Sequence, residues 1–550
     1  MHWPSARFTI PAMERVDCLF LHVPKAANYY RPLHHYSSVN FLPVGLFGLA
    51  DLLQSHDIST EIVHLGVEEI EDPHFSIVRY LEQNTPRIAA FDLQWHHQSF
   101  DVMETVKKVK TAFPSVFVLL GGHTASFYHE EILRNFDAVD GIIRGEAEIP
   151  LLELAKTILQ GKDNLFCVPN LSWRRRGRVL INPLSYVASK EDLNSLCFTH
   201  FPLLKNYPTY IRYVGQPFYV KGVSKERHYR RYSLKSPVFH LPVGRGCPVQ
   251  CSWCSGGISS QETTTGRRTV IFRAIEKVLE SIREALSYGY ETFHISFDPF
   301  PQKPEYFLNL FSRIRDEKLR VECFFECCGL PTIDFIKSFK NTFPGPQSLL
   351  ILSPDAGSDR LRKTHKGFAY TNRALIETLK QLEQHQVFCD LYFTLGIPFE
   401  EERDFCQLIQ LQSEIRRHYP AVRGIRTFIL NMEPGSPWHM DPDAFGVATS
   451  LRNFMDFYHF HSGEASLDTS PGYWIPGHFE GAKDEDHFKQ TLQEMKCRHF
   501  CFFHPNPRKS SRPYWGRKRC DLSSLFWKTK DWLQRKRVLR SQVREFPPKT

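Results

Sequence analysis

No stretch of this sequence approaches the roughly 18 to 20 consecutive apolar residues that a membrane-spanning helix needs. The opening run, MHWPSARFTIPAMERVD, lacks the apolar core of a secretory signal, so the reading is a cytoplasmic protein without a membrane span. No internal repeat is visible, which sets solenoids and propellers aside. Paired-cysteine frameworks belong to short secreted chains. Here 14 cysteines are scattered through 550 residues, so most are expected to be reduced thiols and any tight group of them is a metal-site candidate. The formal charge of +9 hints at nucleic acid, but its distribution argues against that partner. The segment 508–550 alone carries a surplus of +11, which leaves −2 for everything before it, so the basic excess belongs to a tail.

What is present is length enough for two or three domains, with 42% hydrophobic and 23% charged residues as in ordinary globular proteins. Strand-like runs at 18–23, 61–65, 88–93, 116–121 and 141–143 alternate with helical stretches at 44–55, 100–113 and 149–159. Alternation of this kind predicts an α/β domain with a parallel sheet covered on both faces, binding ligands beyond the carboxyl ends of its strands. From about 169 to 237 the pattern breaks; Trp173 to Gly177 reads as a polar turn, and the whole reads as a linker. A second alternating block has strand-like runs at 238–243, 292–297, 321–326, 349–353, 388–395 and 425–431. Helical runs at 270–286, 304–315, 372–384 and 402–416 lie between them. Six such units fit three-quarters of a (βα)8 barrel, though an open sheet has the same pattern. The expected boundaries are 1–165, a linker at 166–235, the barrel at 236–440 and a small carboxyl-terminal module with the basic tail at 441–550.

The most informative residues are Cys247, Cys251 and Cys254, in Gly-Cys-Pro-Val-Gln-Cys-Ser-Trp-Cys directly after the first barrel strand. Spacings of four and three let three thiolates wrap one face of a cuboidal iron–sulfur cluster. Such clusters usually take four thiolates; with three, one iron is left open to an exogenous ligand. A zinc site would want a fourth Cys or His close by, and none follows Cys254 closely. The carboxyl end of a barrel strand is where barrel chemistry is built.

This CxxxCxxC loop, with an aromatic before its last cysteine, resembles the radical S-adenosylmethionine (SAM) superfamily. The resemblance implies that the three cysteines hold a 4Fe-4S cluster. The amino acid end of SAM then chelates the fourth iron, and reductive cleavage yields a 5′-deoxyadenosyl radical. It implies that Trp253 packs near the adenine and that SAM is further held by Asp298, Glu326, Ser353, Gly396 and Ile397 at successive strand ends, with Arg360 and Lys366 downstream. The chain lacks the common Gly-Gly-Glu after the second barrel strand, where Phe297-Asp298-Pro299 stands instead.

The amino-terminal block resembles the cobalamin-binding domain that precedes some of these barrels. Leu119-Leu120-Gly121-Gly122-His123 and Arg144-Gly145-Glu146-Ala147-Glu148 carry that likeness, with Phe41 to Leu46 opening the first helix. It implies cobalamin contacts at Gly45, Gln94, Trp95, His96, Gly121, Gly122 and Glu146. The Asp-x-His-x-x-Gly motif is absent; His22-Val23-Pro24-Lys25 follows the first strand. The fold class implied is a doubly wound, Rossmann-like cobalamin-binding domain, a partial (βα)6 TIM-type barrel and a small carboxyl-terminal module.

The activity implied is cobalamin-dependent methylation of an unactivated carbon in an organic substrate, with a flavodoxin or ferredoxin as electron donor. The alternatives are a cobalamin-dependent radical cyclase or rearrangement enzyme, and a non-catalytic sensor. Cys497, Cys501 and His504, with Cys520 beyond, are a weaker second metal-site candidate, and Cys327 or Cys328 could face a substrate.

Overall fold

The computed structural model describes residues 16–25, 41–72, 74–162, 164–214, 237–462, 471–478 and 484–499. Met1–His499 forms one compact unit. Residues 500–550 lie outside the described residues, and with them Cys501, His504, Cys520 and the basic tail.

The first sheet is built on β1 (Cys18–His22), β2 (Thr60–His64), β3 (Ile88–Asp92), β4 (Phe117–Gly121) and β5 (Gly141–Ile143). Every residue of β1 and β3 is buried, as expected of strands packed on both faces. The order is β2-β1-β3-β4-β5, all parallel, with the winding reversing between β1 and β3. A reversal of that kind opens a crevice at the carboxyl ends of the strands.

The supposed linker at 166–235 is in part not a linker. Leu171–Arg175 (β6) pairs antiparallel with β5, and Arg178–Ile181 (β7) pairs antiparallel with β6, extending the sheet to seven strands. The turn between them has positive φ at Arg176 (48°) and Gly177 (76°), the conformation that matches a two-residue hairpin to strand twist. Residues 215–236 lie outside the described residues.

The second sheet contains β8 (Val238–His240), β11 (Thr292–Ile295), β12 (Glu322–Cys327), β13 (Leu349–Asp355), β14 (Cys389–Leu395) and β15 (Val422–Ile429). They are parallel and adjacent in sequence order, with no reversal, so the winding is single and the sheet is six strands of a barrel. Burial alternates along β12. Phe325 packs on Phe307 and Phe335 of the covering helices (ring centroids 4.8 and 4.9 Å), which directs Glu322, Phe324 and Glu326 to the concave interior. Between β8 and β11 a short antiparallel ribbon, β9 (Gly244–Arg245) with β10 (Ile271–Phe272), carries the cysteine loop.

The described part of the supposed carboxyl-terminal module is also integral to the compact unit. Helix Phe454–Phe460 returns to the first domain, where Tyr458 and Phe454 pack on Phe100 and Phe136 (5.2 and 5.8 Å). Tyr473 donates to the Gly396 carbonyl at the end of β14 (2.8 Å).

Candidate functional site

The loop from Cys247 to Gly257 turns tightly, with the Cys254 N–H donating to the Cys251 carbonyl (3.1 Å). Gln250 braces it from inside. Its amide donates to the carbonyls of Cys251 (3.0 Å) and Cys254 (2.9 Å) and accepts from the backbone and hydroxyl of Ser259 (3.1 and 2.6 Å). A Cβ at Gly257 would come within 2.4 Å of that amide, so only glycine leaves room for the brace. A second strut comes from the segment after β13: Ser252 donates its N–H to the His365 carbonyl (2.8 Å), and its hydroxyl bonds the His365 ring (2.7 Å).

Two backbone N–H groups aim at sulfur, Gly256 at Cys254 (3.2 Å) and Gly367 at Cys251 (3.3 Å). N–H donors of this kind stabilise thiolates and tune clusters. Burial otherwise raises all three thiols, that of Cys254 to about 12, so a positive metal core is what would hold them deprotonated. Among the described residues no three His, Cys, Asp or Glu side chains gather tightly enough for a single ion. A cubane suits the loop better, because each of its thiolates binds a different iron and they stand farther apart.

Around this loop lie the other expected SAM residues. Trp253 sits between His365 and Trp438 (6.1 and 6.0 Å). Asp298 is buried and accepts from the Cys328 N–H (3.2 Å); burial pushes its carboxyl up to about 7, against the N–H groups of Cys328 and Gly329. Ser353 lies on β13, two residues before Asp355, whose carboxylate pairs with the buried Lys366 (2.8 Å). Burial works against the Lys366 ammonium, but Asp355 more than offsets it and keeps the charge in place beside Cys251. Gly396 adopts φ +77° and its N–H donates to Glu400 (2.8 Å), while Ile397 is fully buried. Glu326 is the next-to-last residue of β12. It accepts from the His294 ring (3.0 Å), which in turn meets His240 (3.2 Å).

The crevice of the first sheet contains a cavity of about 240 Å³ at the ends of β1, β3, β4 and β5. Its wall is largely apolar, and it gathers five of the seven expected cobalamin residues: Gly45, Gln94, Gly121, Gly122 and Glu146. Gly121 and Gly45 have nothing within 4 Å of a would-be Cβ, so both leave open space, and a flat ligand can approach backbone at such positions. Trp95 and His96 are not part of this lining. His96 is buried in a histidine cluster instead, against His97 (3.8 Å) and hydrogen-bonded to His461 (3.0 Å). His22, beside the missing cobalt-ligating motif, is buried and bonded to Asp92 (2.9 Å).

Sequence reasoning missed the arginines that join the two domains. Arg245, two residues before Cys247, lines the cavity and pairs with Glu148 (2.6 Å). Arg267 is bidentate to Glu146 (2.5 and 2.7 Å) and also donates to the Ala188 carbonyl (2.6 Å). Neither arginine lies in a motif, and their partners are brought to them only by folding. Glu146, expected to touch cobalamin, thus spends its carboxylate on Arg267.

Comparison with known proteins agrees with both halves. Residues 36–155 match the B12 binding domain and residues 241–411 the Radical SAM superfamily. An uncharacterized methyltransferase of Pyrococcus horikoshii is 25% identical over 283 residues, covering 51% of this chain and 53% of that protein. The hopanoid C-3 methylase of Methylococcus capsulatus is 26% identical over 253 residues, 45% of this chain and 41% of that protein. The chain thus spans about half the length of these curated relatives. The radical S-adenosylmethionine methyltransferase TsrM of Kitasatospora setae, solved with cobalamin and a [4Fe-4S] cluster, shares the fold. Its TM-score is 0.59 at 14% identity, over 80% of this chain and 81% of that one.

Proposed function

This chain belongs to the radical SAM superfamily, in the group with a B12-binding domain ahead of the barrel, and from that premise we propose that it is a cobalamin-dependent methyltransferase acting on an unactivated carbon. The observation that carries the reading is the placement of the two sites: Arg245 lines the crevice cavity and lies two residues from Cys247 on the same ribbon. When bound, the cluster would supply an electron for SAM cleavage and the cobalamin a transferable methyl group.

The chain's own residues position and enclose these groups. Cys247, Cys251 and Cys254 would ligate the cluster, with the Gly256 and Gly367 N–H groups donating to two of the sulfurs. Asp298 and the Lys366–Asp355 pair would orient the charged amino acid end of SAM, and Trp253 would pack beside its adenine; their burial and contacts near the cysteine loop support this. Trp438 and Tyr473, buried behind that wall, keep water out. The remaining partners are an organic substrate and a one-electron donor of the flavodoxin or ferredoxin type, in the cytoplasm. Among the described residues no helix is long and apolar enough to cross a membrane.

The test is anaerobic reconstitution with iron, sulfide and cobalamin, followed by reduction with dithionite in the presence of SAM. Methyl transfer yields S-adenosylhomocysteine together with 5′-deoxyadenosine; a cyclase or rearrangement yields 5′-deoxyadenosine without methyl transfer, and a sensor yields neither. Replacing all three cysteines by alanine removes the cluster iron. Full iron retention in that variant overturns the proposal.

A further inference from the structure

The two carboxylates of the segment after β5 are not equivalent. Glu146 is saturated: Oε1 accepts from Arg267 Nε (2.5 Å), and Oε2 accepts from Arg267 Nη2 (2.7 Å) and the Ala188 N–H (2.6 Å). Glu148 is not. Its Oε1 accepts from Arg245 Nη2 (2.6 Å), whereas its Oε2 is fully buried and has no hydrogen-bond partner among the described residues. The residue is only 3% exposed and lines the crevice cavity. A buried carboxylate oxygen without a donor costs free energy, and such a cost persists where a ligand removes it.

The surroundings define that ligand. Phe20, Leu46, Leu119 and Leu151 offer apolar wall, and Glu148 offers an acceptor but no donor. The spare oxygen therefore asks for a hydrogen-bond donor on a largely apolar molecule, and because Arg245 already balances the carboxylate's charge that donor can be an uncharged N–H. Cobalamin, whose rim carries primary carboxamides, has that chemistry. We infer that Glu148 is a cobalamin-binding residue, its Oε2 accepting an N–H of a peripheral carboxamide while its Oε1 holds Arg245. This rests on the reading that the cavity takes cobalamin.

The second half of the contact gives it a consequence. Arg245 precedes Gly246 and Cys247, and that backbone is pinned: Gly246 has φ +99°, and a Cβ there would lie 2.5 Å from the Thr269 carbonyl. One carboxylate thus touches both the corrin rim and the start of the cluster loop.

The experiment compares hydroxocobalamin with its monocarboxylic acids, in each of which one carboxamide is hydrolysed to a carboxylate. Binding to the full, cluster-loaded chain is measured by equilibrium dialysis and by the corrin absorption spectrum. The wild type is expected to bind hydroxocobalamin about tenfold or more tightly than at least one monocarboxylate, as for a hydrogen bond to a charged group. Glu148→Gln keeps an oxygen for Arg245 but turns a donor toward the corrin. It should weaken hydroxocobalamin about tenfold and erase or invert the preference. Glu153→Gln, on the exposed side of the same helix, should behave as wild type. A wild type indifferent to amide hydrolysis overturns the inference without recourse to any variant, and so does an unchanged preference in Glu148→Gln. A wild type that binds no cobalamin at all overturns the cofactor reading as well.

Discussion

Replacing Arg267 by methionine should damage the protein more than removing both members of its ion pair. Arg267 is 3% exposed and spends its donors on both Glu146 oxygens, the Ala188 carbonyl and the Thr269 carbonyl. Without it, Glu146 keeps the Ala188 N–H and a loose approach of Arg245 at 3.7 Å. Removing one partner of a buried pair costs about 3 to 5 kcal/mol, because the other charge is left uncompensated. The nearby Arg245 places this case at the low end, about 3 kcal/mol. For the domains that meet here, that is a fall of about 6 to 12 °C in the first thermal transition. Arg267→Met with Glu146→Gln removes the stranded charge and should cost only about 1 to 2 kcal/mol, the remainder being the orphaned Ala188 and Thr269 carbonyls. Thermal unfolding of the cofactor-free chain, the two single variants and the double variant closes the cycle. An Arg267→Met single variant within about 0.5 kcal/mol of wild type, or a double variant less stable than Arg267→Met alone, refutes the reasoning.

Asp298 gives a pH dependence. With its carboxyl raised to about 7, the cofactor-free fold is favoured while the group is protonated, and this contribution is lost as pH rises from about 4 through about 7. Asp298→Asn fixes the neutral form, so its stability advantage over wild type should grow by about 2.5 kcal/mol between pH 5 and pH 8; a flat difference in denaturant titrations refutes it. The two crevice glycines should separate binding from folding. Gly121→Val projects into open space and should keep the melting temperature while lowering cobalamin affinity at least about tenfold, as a methyl-bearing side chain displaces ligand contacts. Gly122→Ala, at φ +101° with its Cβ 2.8 Å from the Gln94 and Leu93 backbone, should lower the melting temperature first. The reverse order in melting and absorption titrations overturns both assignments.

The parts legible in the sequence are those fixed by short-range pattern. Runs that are apolar up to their last residue, such as Cys18–His22 and Ile88–Asp92, announce parallel strands, because a strand buried on both faces has no polar side to show. The cysteine loop is legible because its ligand spacing is local. The antiparallel extension is not: Leu171–Arg175 and Arg178–Ile181 are short and half polar, so Trp173 to Gly177 reads as one polar turn, whereas Trp173–Arg175 belong to β6 and only Arg176–Gly177 turn. Whether six strand–helix units curl into a barrel was equally hidden, since it depends on strand order, which periodicity does not encode. At the site, Gln250, His365 and Gly367 act through backbone and amide contacts that leave no motif. Glu146 and Glu148 were distinguishable only once Arg267 and Arg245 were seen to take different shares of them. His96 looked like a crevice residue because it follows β3. The return of helix Phe454–Phe460 and His461, hundreds of residues later, is what seals it away.

The choice of charged side chains at this seam follows from what the seam has to do. Two apolar surfaces can slide by a fraction of a side chain at little cost, because dispersion and burial have no preferred direction. A guanidinium fork on a carboxylate cannot, since two parallel N–H···O bonds fix both distance and plane. Arg267 on Glu146 is such a fork, and Gly145 meets Thr265 so closely that a Cβ would lie 2.8 Å from its Cα. Together they hold the crevice cavity in one orientation to the ribbon that carries Cys247. On this argument Arg267→Lys is not conservative: a single ammonium keeps the charge but surrenders the plane, and the seam regains the freedom that the fork removes.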